Sequence, residues 1–217
     1  MLKTTIADPS RPGSLAHSAR SRRWQELLRC FPDLPEMRVL DLGGTPASWR
    51  GAPVRPAQVV TVNLDPHTAR EAEPGITAVV ADACGPCLPG RFSAERFDLV
   101  YSNSVLEHVG GHYRRRQFTD TVHAQGTHHW IQTPYRYFPV EPHWLFPGLQ
   151  WLPFRARVAV SQYWPLGHIR RAGRADAVRD VQEVELLSVT EMRSYFPASD
   201  IWIERFAGLP KSLVARK

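Results

Sequence analysis

A chain of 217 residues, 43% hydrophobic and 22% charged, is long enough to bury a sizeable core and too apolar to be a disordered segment. No apolar run approaches the roughly 18 residues of a membrane-spanning helix, and residues 1–20, with Lys3, Asp8, Pro9, Arg11 and Pro12, hold no secretory-type apolar stretch. The net charge of +6 is modest and scattered over Arg20, Arg22 and Arg23, Arg114 to Arg116, and Arg170, Arg171 and Arg174, so a nucleic-acid partner is not demanded, and a cytoplasmic location with three reduced cysteines is the expectation.

Residues 1–17 read as a flexible tail and 18–217 as a single domain. Trp24, Leu27 and Leu28 fall at helical spacing and predict a helix over 18–30. Met37-Arg-Val-Leu-Asp-Leu-Gly-Gly44 reads as a short apolar strand running into glycines. Val59 to Asp65, Ile76 to Val80 followed by Ala81-Asp82, and Phe97 to Tyr101 running into Ser102-Asn103-Ser104 read as three more strands. Residues 112–123 suit a helix, and Trp130 to Thr133 a fifth strand stopped by Pro134. The stretch 134–170 carries six prolines among nine aromatic residues, and it predicts an irregular, capping insertion that extends to about 188. Ser188-Val-Thr-Glu191 is a capping-box pattern opening a helix to Tyr195, and 200–205 with 211–215 predict a closing strand pair.

The strands are continuous apolar runs, the pattern of strands buried on both faces of a parallel sheet. Their carboxyl ends carry Asp, Asn, Ser or Gly, where open α/β sheets place their ligands.

This order of strand ends resembles the class I S-adenosylmethionine (SAM)-dependent methyltransferases, from about Glu36 to the C-terminus. Val39-Leu-Asp-Leu-Gly43 resembles that family's first motif, and Phe97-Asp-Leu-Val-Tyr-Ser-Asn-Ser-Val-Leu-Glu-His-Val109 its fourth strand with the helix after it. The resemblance implies an α/β, Rossmann-like sheet, mostly parallel with an antiparallel last strand, plus the aromatic- and Pro-rich cap. It also implies SAM as cofactor, held by Asp41, Gly43 and Gly44, by Asn63, Leu64 and Asp65, by Asp82 and Ala83, and by Asn103. Glycines permit close backbone approach, and a strand-to-helix turn after Gly44 would offer free amides to the amino-acid end. Two positions depart from the family: Thr45 stands where glycine is usual, and Asn63 where an acid usually takes the ribose, with Asp65 as a substitute two residues on.

Cys84-Gly-Pro-Cys87 matches a redox dithiol letter for letter. A lowered thiol pKa there needs a helix start, and Leu88-Pro-Gly90 breaks a helix at once. A loop over the adenine is the expectation.

A hydroxyl acceptor keeps its proton at neutral pH, so its methylation needs a base or a metal ion. Glu107-His108 follows the fourth strand and Glu141-Pro-His143 opens the insertion, with His112, His128 and His129 nearby in sequence. His143, Glu141 and His108 are the expected catalytic residues, with Glu107, Glu141 and His143 the expected ligands of a divalent ion. Residues 134–147 resemble methyltransferases of polysaccharide-synthesis clusters, the mycobacterial sugar 1-O-methyltransferases of methylmannose polysaccharide synthesis among them. That resemblance implies Mg²⁺ dependence and a short mannoside acceptor. The expected partner is thus a saccharide or other small molecule, with self-association into a homodimer allowed. A methyltransferase for a lipid, quinone or aromatic compound, one for nucleic acid, and a non-catalytic protein on the same fold stay open.

Overall fold

The computed structural model describes residues 15–70, 73–85, 88–167 and 173–217. The segment 1–14, Cys87 and the Arg170-Arg171 pair lie outside the described residues.

Helix α1 spans Leu15–Cys30, reaching three residues into the expected tail. Strands β1 (Arg38–Leu42), β2 (Gln58–Asn63), β3 (Ile76–Val80) and β4 (Phe97–Asn103) follow, then helix α2 (Gly111–Gln125) and β5 (Gly126–Pro134). The insertion holds a hairpin of β6 (Val140–Glu141) and β7 (Phe146–Pro147), then helices α3 (Phe154–Tyr163) and α4 (Arg174–Gln182). Helix α5 (Val189–Tyr195) and strands β8 (Asp200–Phe206) and β9 (Leu209–Arg216) close the chain. No helix among the described residues is long and apolar enough to cross a membrane.

Seven strands form one sheet in the order β3-β2-β1-β4-β5-β9-β8. Every neighbouring pair from β3 to β5 is parallel, and β9 runs antiparallel to both β5 and β8. This is the expected Rossmann-like sheet with a reversed last strand. Successive apolar residues serve opposite faces. Val39, Val59, Leu99, Trp130 and Val214 pack with Trp24 and Leu27 of α1 and with Phe31 just after it. Leu40, Val60, Val100, Ile131 and Leu213 pack with Phe118 and Val122 of α2 and Met192 and Tyr195 of α5. Two covered faces explain why the strands read as unbroken apolar runs rather than alternating ones. β5 begins four residues before Trp130 because Gly126 and His128 pair with β4 by backbone alone, leaving no apolar signal.

Two helix expectations are corrected. After Gly44 comes only a 3-10 turn, Pro46–Trp49, capped by Thr45, whose Oγ1 accepts from Ser48 N. Residues 106–108 form a turn, and α2 starts only at Gly111, which like Gly110 before it has positive φ. The insertion is likewise more regular than its prolines suggest. Residues 154–163 contain no proline or glycine, and α3 fills that span between its caps Pro153 and Trp164, the latter extended ahead of Pro165. Trp144, Leu149, Val158, Ala177, Val181, Val184 and Leu186 give the insertion a core of its own. The capping box is present as expected: Ser188 Oγ accepts from Glu191 N, and the Glu191 carboxylate accepts from Ser188 N.

Candidate active site

The strand order reverses between β1 and β4, and a crevice opens beyond their carboxyl ends. Two cavities meet there, sharing Gly43 and Ser104. One, of about 290 Å³, is lined by Asn63, Leu64, Asp82, Ala83, Cys84, His108 and Arg114. The other, of about 380 Å³, lies between α1 and the sheet, lined by Arg20, Arg23, Asp41, Gly44, Trp49, Asn103 and Lys211. Of the nine expected cofactor residues, all but Asp65 line one cavity or the other.

Both glycines are required by their neighbours. Gly43 has φ +81°, and a Cβ there would overlap the Val105 side chain. A Cβ at Gly44 would overlap the Asp41 carboxylate. Asp41 itself is buried, and the Trp49 indole Nε1 donates to its Oδ2 at 2.7 Å. Burial pushes the Asp41 pKa up to about 7, against the lowering effect of that hydrogen bond.

Asn63 clamps the glycine loop. Its Nδ2 donates to Gly43 O at 3.0 Å and Gly44 O at 3.2 Å, and its Oδ1 accepts from Asp65 N. Asp65 is exposed, and its Oδ1 accepts from His67 N. Asp82 is ion-paired with Arg114 at 2.9 Å and accepts from Cys84 N, and the Arg114 guanidinium holds its pKa below the usual carboxylate range. The Cys84 thiol is buried, which pushes its pKa up to about 11, the opposite of a redox-active cysteine.

Beside the smaller cavity stands the second cluster. His143 Nδ1 lies 2.7 Å from Glu141 Oε1, and Glu141 Oε2 accepts the backbone amides of His143 and Trp144. His143 Nε2 lies 3.0 Å from His108 Nε2, with the two rings edge to face. Thr133 of β5 donates to Glu107 Oε2 at 2.9 Å, while Glu107 Oε1, fully buried, has no hydrogen-bond partner. Burial raises the Glu107 pKa to about 7. Burial alone would lower the His143 pKa, but the hydrogen bond to Glu141 and the neighbouring carboxylates outweigh it, and the net shift is upward.

All four residues expected for proton transfer or metal binding therefore converge, although Glu107-His108 and Glu141-Pro-His143 are more than thirty residues apart. The expected metal set changes in composition. Both Glu141 oxygens are engaged by the His143-Trp144 segment, and the ligand atoms that converge are those of Glu107, His108 and His143. Two imidazoles and one carboxylate do not fit Mg²⁺, which demands oxygen ligands.

His112, His128 and His129, the other histidines named from the sequence, make contacts within the scaffold. His129 is buried against Ser199, with burial taking its pKa down to about 4. His112 meets the Tyr195 hydroxyl at 2.8 Å, and His128 meets Lys217 O. Sequence reasoning missed Arg20, Arg23 and Lys211 on the larger cavity. Arg20 and Arg23 share the helical face of Trp24 and Leu27, so the helical period could have found them. Lys211 carries no sequence signal. Arg23 donates to Asn103 Oδ1 at 2.6 Å and pairs with Glu204.

No protein-family profile matches the chain, and no curated protein matches it in sequence. Solved structures do match. An S-adenosylmethionine-dependent methyltransferase from Mesorhizobium loti is 18% identical, with a TM-score of 0.56 over 91% of this chain and 96% of the other. DhpI, solved with SAM and HEP, is 14% identical, with a TM-score of 0.59 over 99% and 91%. A Rhodobacter sphaeroides structure named for zinc-dependent alcohol dehydrogenases is 13% identical, with a TM-score of 0.60 over 90% and 87%. At such identities the likeness establishes the fold: an α/β, Rossmann-like sheet of the kind found in SAM-dependent methyltransferases.

Proposed function

We propose that this chain is a SAM-dependent O-methyltransferase whose acceptor is a saccharide hydroxyl. The observation that carries the proposal is the Glu141–His143 pair at 2.7 Å, set against His108 on the rim of the crevice. Methyl transfer is a direct displacement, so the protein's tasks are to align the reactants and to remove the hydroxyl proton.

SAM would lie across the two cavities. Leu64, Ala83 and the Asp82 loop suit the adenosine end, and Gly43, Gly44, Asp41 and Asn103 the methionine end. Asn63, engaged by the glycine loop, acts by shaping that loop. Glu141 fixes the proton of His143 on Nδ1, which leaves Nε2 as the basic atom. His108 stands between that atom and the crevice.

The saccharide acceptor is supported by the insertion. Trp144 is in its core, whereas Tyr137, Trp151, Phe154 and Tyr163 expose their rings to solvent, where they suit stacking on a sugar face. The same rings would also meet a lipid or quinone, and a panel of acceptors separates these. The test is transfer of labelled methyl from SAM to methyl mannosides, other glycosides, quinols and RNA. Glycoside methylation that is abolished in His143→Ala, with SAM affinity retained, is the expected result. Turnover retained in His143→Ala would remove the dyad from the mechanism.

A further inference from the structure

We infer that Glu107, His108 and His143 form a binding site for a divalent transition ion, of the iron-to-zinc series, in preference to Mg²⁺. One ligand atom from each of the three lies within 4.8 Å of the other two. The separation of His108 Nε2 and His143 Nε2, 3.0 Å, is that of adjacent ligands on one ion, since metal–nitrogen bonds of about 2.1 Å at right angles span about 3 Å.

The surroundings point the same way. Glu141 holds the Nδ1 side of His143 at 2.7 Å, so the Nε2 lone pair faces His108. A carboxylate behind a histidine is the arrangement that orients imidazole ligands on metals. A hydrogen bond between the two imidazoles would account for their contact, but it leaves Glu107 unexplained. Glu107 is fully buried, and its Oε1 has no hydrogen-bond partner, a state that buried carboxylate oxygens rarely keep without an ion or water. Imidazole nitrogens suit iron, nickel, copper and zinc, whereas Mg²⁺ takes oxygen.

The inference rests on the proposed SAM-dependent methylation for its use and revises it at one atom, His143 Nε2, which becomes an ion ligand in place of a base. An ion held by Glu107, His108 and His143 would acidify a bound hydroxyl. It takes the same His143 Nε2 lone pair that a base would use, so the two roles exclude each other at that atom.

The test uses the full chain, stripped with a chelator and titrated with Co²⁺, Zn²⁺, Mn²⁺ and Mg²⁺ separately. Calorimetry gives the affinities, and Co²⁺ absorption reports the ligand field. SAM affinity is measured on the same samples. One ion per chain is expected, bound at least a hundredfold more tightly for Co²⁺ or Zn²⁺ than for Mg²⁺. His108→Ala, at an exposed position whose substitution spares the core, is expected to weaken Co²⁺ at least tenfold and change its spectrum. Glu107→Gln is expected to do the same, and because Glu107 lines neither cavity its SAM affinity is expected to be unchanged. Equal affinity for Mg²⁺ and Zn²⁺, or the same Co²⁺ affinity and spectrum in wild type and His108→Ala, overturns the inference. Ion binding without SAM binding would overturn the proposed function instead and leave the site standing.

Discussion

One carboxylate organises the insertion's contribution to the site: Glu141 accepts from His143 at both its ring and its backbone amide, and from the Trp144 amide as well. Glu141 is 2% exposed, so these three bonds replace water entirely. Glu141→Gln keeps the shape but puts an NH₂ group where an acceptor is needed. The variant should lose about a hundredfold or more in kcat, as when a histidine loses its orienting carboxylate. SAM affinity should stay within about twofold. Calorimetry and turnover on one preparation check this, and equal turnover would show that Glu141 only shapes the loop.

Asp41 makes cofactor binding pH-dependent. Its folded pKa of about 7 exceeds its ordinary value of 3.8, because burial disfavours the charge. The ammonium and sulfonium of SAM favour the ionised form, so binding should release a proton near pH 6. Affinity should fall up to tenfold per pH unit below about 7 and level off above it. Calorimetry in buffers of different ionisation enthalpy measures the released proton. The sign for stability is opposite: the folded state holds a proton that the unfolded chain gives up. Without ligand, stability should decline from about pH 4 to pH 7 and then stay flat, by up to ~4 kcal/mol for a shift of about three units. Asp41→Asn should flatten both profiles and weaken SAM. Profiles unchanged by the substitution would show that Asp41 is not the titrating group.

Glycine at 44 is dictated by Asp41. Gly44→Ala drives a Cβ into the carboxylate, and Gly43→Ala adds strain at φ +81° to an overlap with Val105. Each should cost about 2 kcal/mol or more and lower the Tm by at least about 4 °C. Gly51→Ala, with open space around it, should change stability by less than about 1 kcal/mol. Thermal denaturation of the three variants side by side gives the answer.

Placing an acid at position 63 should damage this chain. The Asn63 amide donates to two carbonyls, Gly43 O and Gly44 O, and a carboxylate there would face both without a proton to offer. Asn63→Asp should weaken SAM about tenfold and lower the Tm. An Asn63→Asp variant that binds SAM more tightly would mean that position 63 reaches the ribose directly.

The core of this fold was legible because strand burial on both faces writes itself as apolar runs, from Val39-Leu40 to Trp130-Ile131. The Glu107-His108 and Glu141-His143 pairs were legible from their positions beside a strand end and an insertion. Their contact was not, since the loop geometry that brings His143 to 3.0 Å from His108 has no local signal. The helices of the insertion are hidden because prolines at 147, 153 and 165 mark ends, and the ten residues of α3 fit between two of them without a strong signal of their own. The missing helix after Gly44 was hidden because Thr45 caps a 3-10 turn as readily as an α-helix. Lys211 reached the crevice through the pairing of β9 with β5, which only the sheet order reveals.

Titration calorimetry with SAM and S-adenosylhomocysteine tests the cofactor assignment most directly. Binding of both in the micromolar range, one per chain and weakened at least tenfold by Asp41→Asn, is the expected result. No binding of either by the folded protein would contradict the assignment and leave a methyltransferase-like sheet without its cofactor.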